Sequence, residues 1–197
     1  MNTKSLMLII VFAALTVVLN PIRIPTFYWP GFFYRLWEIP IVVAFLLFGP
    51  RIGISVASLN VLAQIMLFPI PAGIVAYPWG FVATLTMLLG VYIAQKLFRQ
   101  GLLPEDPLVR AKPILYLTSL GIAFRTGIMP FVDYSVYHSL LPIALGRSFT
   151  EAYIVALIPP MIVFNITVAL YTVPIGYIIA RQLSKSLKLG SSFNSKL

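Results

Sequence analysis

Arg125 stands inside GIAFRTGIMPFVDY, residues 121 to 134, a stretch that is otherwise almost wholly apolar. Its guanidinium is always charged and offers a planar fork of donors that matches a carboxylate or the polar edge of a ligand. Asn60, Gln64 and Asn165 interrupt other apolar segments, while Glu38 and Asp133 lie near segment ends. Ionisable side chains in such segments face a bundle interior or a polar cavity and have a partner that can be named. For Arg125 the first choice is Glu38 and the second is Asp133, two turns further on. Two roles fit these residue types. Arg125 locks two helices through a carboxylate, or it lines a pocket and donates to a ligand. They overlap, since an arginine in a pocket wall can also hold an internal carboxylate.

Other chemistries lack their parts. No GxxxxGK[ST] loop occurs, so this chain does not hydrolyse ATP alone. One histidine, His138, and no cysteine exclude a His/Cys metal site, a disulfide or thiol chemistry. There is no HExxH, no Ser/His couple and no pair of intramembrane aspartates. The expectation is a protein that is not an enzyme and carries no metal or cofactor, with His138 an ordinary loop residue.

The segments that must position these side chains are long and apolar. The chain has 197 residues, 60% hydrophobic and 10% charged, against about 25% charged in a soluble domain. Six apolar spans are read at about 5–20, 36–49, 52–68, 74–97, 113–132 and 151–181, several near the ~20 residues that cross a bilayer. The expected fold is all-α: one transmembrane domain over 1–197, a bundle of six transmembrane helices, with a disordered tail at about 189–197. GPRIG, residues 49 to 53, reads as the tight turn of a helical hairpin. Ser148 and Glu151 have capping-box spacing at the start of the last span, which kinks at Pro159-Pro160.

Lysine and arginine placement sets orientation. With six crossings, ten of them fall on one side (Lys4, Arg51, Lys96, Arg99, Arg110, Lys112, Arg181, Lys185, Lys188, Lys196), and Arg23, Arg35 and Arg147 on the other. Both termini are therefore expected in the cytoplasm, and the protein in the cell membrane as a multi-pass chain. The net charge of +9 does not indicate nucleic acid, because the basic residues sit at span ends rather than on one soluble face. The bilayer is the partner it implies.

Small and polar residues recur at helical spacing: Gly53, Ala57, Asn60 and Gln64; Ala83, Met87, Gly90 and Ala94; Thr118, Gly121 and Arg125; Asn165, Ala169, Thr172 and Gly176. The small members let helix backbones approach closely. Asn60, Gln64, Arg125 and Asn165 share one depth, between midplane and outer surface, which points to a polar cavity opening outward. Residues 21 to 38, PIRIPTFYWPGFFYRLWE, are rich in aromatic rings. They form an interfacial belt, a cap over the cavity, or both.

The chain resembles the substrate-binding S components of energy-coupling factor (ECF) vitamin transporters, in size, six helices and topology. The most specific piece is residues 32 to 68, with Glu38, Pro40, Gly49, Pro50 and Gly53 at the positions of a short strand-like segment, an acidic residue before a proline, and a GP-x-x-G turn. A second is Pro160 followed by Asn165. The resemblance implies a subunit that binds a small water-soluble vitamin in an outward pocket. It implies partners as well: a membrane coupling protein and two ATPase subunits. Residues 21 to 37 would be the lid, and Glu38, Asn60, Gln64, Arg125, Asn165, Trp29, Phe33 and Trp37 the substrate-binding set. The riboflavin-binding members are nearest in pattern. This chain differs from them in having Val168 where a lysine commonly follows the asparagine, and its first helix lacks the AxxxA docking pattern. A solitary ion-coupled transporter of a small polar solute and a ligand-free scaffold subunit are the alternatives.

Overall fold

The computed structural model describes residues 3–28, 32–70, 72–99 and 112–186. In chain order the elements are α1 (Thr3–Leu19), β1 (Arg23–Pro25), β2 (Phe33–Arg35), α2 (Glu38–Phe48), α3 (Pro50–Leu67), α4 (Gly73–Arg99), α5 (Lys112–Ser135), a π-helical turn (Val136–Leu140), α6 (Leu141–Leu145) and α7 (Glu151–Ser186). Trp29 and the tail at about 189–197 lie outside the described residues. The fold is not purely α. β1 and β2 pair antiparallel, with Arg23 opposite Arg35 and Pro25 opposite Phe33. Three-residue strands bounded by proline and glycine carry no alternation for a sequence reading to detect.

Among the described residues four helices are long and apolar enough to cross a membrane: α3, α4, α5 with its continuation to Leu145, and α7. α1, with 17 residues, and α2, with 11, are apolar but shorter. The six spans read from the sequence thus fall on six helices of unequal length. α2 explains the difference. Each of its residues from Glu38 to Leu47 is buried, and a helix apolar all round belongs inside a bundle. Its side chains join those of α4, α5 and α7 in the core, with Ile41, Val42, Met87, Leu117 and Val173 among the most enclosed.

Glycines fix how closely the helices approach. Gly49 ends α2 with φ +97°, and its N–H donates to Phe45 O at 2.9 Å. Pro50 then opens α3 at a position where no N–H is needed. The expected hairpin is present. One turn on, a Cβ at Gly53 would lie 2.6 Å from Phe45 Cβ. At Gly90 it would collide with the Leu120 carbonyl, so α4 and α5 meet backbone to backbone there. A Cβ at Gly176 of α7 would lie 2.6 Å from Val42 Cγ1, so there the α2 side chain packs directly against the α7 backbone.

α7 runs unbroken through Pro159, Pro160 and Pro174. Neighbouring helices can satisfy the carbonyls that prolines free in such a bundle. Its cap differs from the expected Ser148–Glu151 box. The Tyr153 N–H donates to Thr150 Oγ1 at 3.4 Å, because the first helical residue is Glu151 and the capping position is the one before it.

Candidate functional site

α2 begins, α3 ends, α4 begins and α5 ends at one end of the bundle, and the β1–β2 hairpin sits there too. This end encloses a cavity of about 320 Å³. Its lining comes from β2, both ends of the α2–α3 hairpin, α4, α5 and α7.

Arg125 of α5 is the hub. Only 2% of its surface is exposed. Nη1 donates to Glu38 Oε2 at 2.5 Å and Nη2 to Glu38 Oε1 at 3.2 Å, a two-point contact with the carboxylate. Nε donates to Asn165 Oδ1 at 2.9 Å. Asn165 in turn donates to Met161 O at 3.0 Å, one turn back along α7. One guanidinium thus joins α2, α5 and α7. Glu38 occupies the first turn of α2, where the helix dipole also favours a carboxylate. Arg125 pairs with Glu38, and both side chains line the cavity.

Asp133, the other expected partner, is engaged elsewhere. Trp79 of α4 donates through Nε1 to its Oδ1 at 2.7 Å. Its Oδ2 is buried and has no hydrogen-bond partner. Asp133 lines the same cavity.

The hairpin is tied down over this end. Tyr34 of β2 donates to Thr167 Oγ1 of α7 at 2.9 Å and lies 3.2 Å from the Tyr28 hydroxyl. Its ring stacks on Phe164, with centroids 5.6 Å apart and planes within 6°. Tyr171 of α7 donates to the Arg35 carbonyl at 2.8 Å. Burial, and then the charge of Arg23 directly across the hairpin, lower the pKa of Arg35 below its ordinary value. Burial and then the bond to Tyr34 push the Tyr28 phenol up to about 12.

Of the sequence-predicted residues, Glu38, Gln64, Arg125, Asn165, Phe33 and Trp37 line the cavity. Asn60 does not. It is fully buried one turn inward of Gln64, and neither its Oδ1 nor its Nδ2 has a hydrogen-bond partner. The cavity stops at Gln64, so sharing a helix face did not mean sharing a depth. Missed in the sequence were most of the aromatic walls, Tyr77, Trp79, Tyr137, Phe164 and Tyr171; Asp133 enters there only as a second partner for Arg125, and Val168 only as a departure from the riboflavin-binding pattern. A signal existed. Met161, Phe164, Asn165, Val168 and Tyr171 follow the helical period on α7, as do Arg125, Met129 and Asp133 on α5.

These features define a helical membrane fold with a capped polar chamber at one end. Over 94% of this chain and 98% of the other, the fold is similar to that of the solved S component of a bacterial ECF transporter, with TM-score 0.73 and 23% identity. No protein-family profile and no curated protein sequence matches the chain.

Proposed function

We propose that this protein is a substrate-binding membrane subunit of the S-component type, which takes up a small water-soluble vitamin and passes it to an ATP-driven partner. The observation that carries the reading is the chamber itself. It has a bidentate ion pair and an amide at one wall, aromatic rings on the others, and a hairpin over it, in a fold shared with a known S component. A volume of about 320 Å³ is at the small end of ligand pockets. In this reading the chain crosses the cell membrane six times with both termini cytoplasmic, so the chamber faces outward. Arg125, Asn165 and Gln64 offer polar contacts, Glu38 holds Arg125 in place, and Phe33 and Trp37 pack against the ligand. Riboflavin leads among the vitamins, since a flat ring suits aromatic walls. Val168 presents an apolar surface where the riboflavin-binding relatives commonly carry lysine. A membrane coupling protein and two ATPase subunits would supply the energy, since the chain has no nucleotide-binding loop of its own.

The test is a thermal-shift screen of detergent-purified protein against water-soluble vitamins, with native mass spectrometry for co-purified small molecules. A vitamin at 100 times its Kd stabilises the fold by about 2.7 kcal/mol. If no vitamin raises the melting temperature and none co-purifies, the proposal fails and the scaffold reading takes its place.

A further inference from the structure

Four charged side chains line the chamber: Arg35, Glu38, Arg125 and Asp133. They are not equivalent. Glu38 and Arg125 neutralise one another through two hydrogen bonds. Arg35 stands on the hairpin and is only partly buried, so water reaches it. Asp133 is different. It is 2% exposed, it has no ion-pair partner among the described residues, and only one of its oxygens is satisfied, by the Trp79 indole. Buried carboxyl oxygens are ordinarily hydrogen-bonded, and one left without a partner is expensive. The bond from Trp79 holds the carboxyl in place, with its second oxygen the free one.

We propose that Asp133 is a ligand-binding residue whose Oδ2 accepts a hydrogen bond from an N–H or cationic group on the edge of a flat ring. The inference rests on the binding function proposed above and narrows its substrate class. The ligand carries a ring donor or a positive charge and is not a simple anion. The walls agree with a flat partner. Trp79, which holds Asp133, meets Tyr137 edge to face with centroids 5.5 Å apart, and both rings line the chamber. An anionic ligand would bring its charge beside a buried carboxylate, while the nearest fully buried cation is already occupied by Glu38.

The experiment uses the full chain in detergent and six probes: riboflavin, thiamine, pyridoxine, nicotinate, lipoate and pantothenate. The first three present ring donors or a positive charge, and the last three are anions. The expected binder comes from the first group, and Asp133→Asn lowers its affinity about 10- to 100-fold, the size of a hydrogen bond to a charged group. Asp133→Asn retains an oxygen for Trp79, and its melting temperature without ligand is measured alongside. A comparison on the unaltered protein needs no variant. If riboflavin binds, 3-methylriboflavin, which lacks the ring N–H, binds at least tenfold more weakly. Tight binding of an anion, or a binder whose affinity changes less than threefold on Asp133→Asn, overturns the assignment and leaves the proposed function intact. If none of the six probes binds, the assignment of Asp133 is overturned, while the proposed function is overturned only when the wider vitamin screen described above also finds no binder.

Discussion

Breaking the Arg125–Glu38 pair from one side should damage the fold far more than removing it whole. Glu38→Leu leaves the guanidinium in a site where it is 2% exposed, with Asn165 as its remaining strong partner. Arg125→Met leaves the Glu38 carboxylate equally enclosed. Each single change is expected to cost about 3–5 kcal/mol, the penalty of an uncompensated buried charge. The double variant leaves no charge behind and orphans chiefly Asn165 Oδ1, a cost of about 1–3 kcal/mol. The cycle should therefore depart from additivity by at least about 3 kcal/mol. Thermal unfolding of ligand-free protein in detergent, followed by tryptophan fluorescence, reads this directly. For a chain of this size the single variants should melt about 6–20 °C below the parent, with the double variant above both. If each single variant melts within about 2 °C of the parent, or the double shift equals the two single shifts together, the pair is not the junction of α2, α5 and α7 described above.

Four further outcomes are expected. Gly90→Ala should destabilise by about 1–3 kcal/mol because its methyl meets the Leu120 carbonyl, while Gly121→Ala, whose nearest contacts are side-chain atoms at 3.4–3.6 Å, should be far milder; equal melting temperatures would contradict the close α4–α5 crossing. Gly49→Ala should cost about 1–3 kcal/mol through its φ of +97°, although nothing lies within 4 Å to clash with the added carbon; a neutral result by the same melting assay would exclude strain at the turn. Tyr34→Phe keeps the stack on Phe164 and loses the bond to Thr167, so hydrogen exchange across residues 23–35 should accelerate by about three- to tenfold. The hairpin should also loosen at alkaline pH. The Tyr28 phenol titrates near 12 folded against 10 unfolded, so its contribution is complete below pH 10 and disappears as pH rises toward 12, and Tyr28→Phe should abolish that part of the profile.

What the residues disclosed in advance depended on how local the cause was. Gly49-Pro50 announces a turn because the two residues have backbone requirements of their own. The small residues Gly53, Gly90 and Gly176 announce close packing for a similar reason. The pairing of Arg125 with Glu38 followed from scarcity: an enclosed cation had very few carboxylates to choose from. The strand-like segment before Glu38 came only with the family resemblance, and its pairing with β1 escaped notice because the hairpin is held by contacts with α7, through Tyr34 and Tyr171, rather than by its own three-residue strands. Asn60 misled because periodicity gives a face but not a depth. The Ser148 box misled because the helix starts one residue past Thr150. Asp133 was seen as a reserve partner for Arg125, and nothing short of the fold reveals that Trp79 holds one of its oxygens.

The brevity of α2 has a consequence for how the chamber exists at all. Eleven residues reach only about 16 Å, roughly half of a ~30 Å hydrocarbon layer. The missing half of that central post is replaced by a folded ribbon, so the room is made by omitting turns of helix instead of shrinking side chains. Its size is then quantised. Lengthening the post by one turn ahead of Glu38 would drive that turn into the chamber and cover the ion pair, whereas trimming individual wall residues would only adjust its outline.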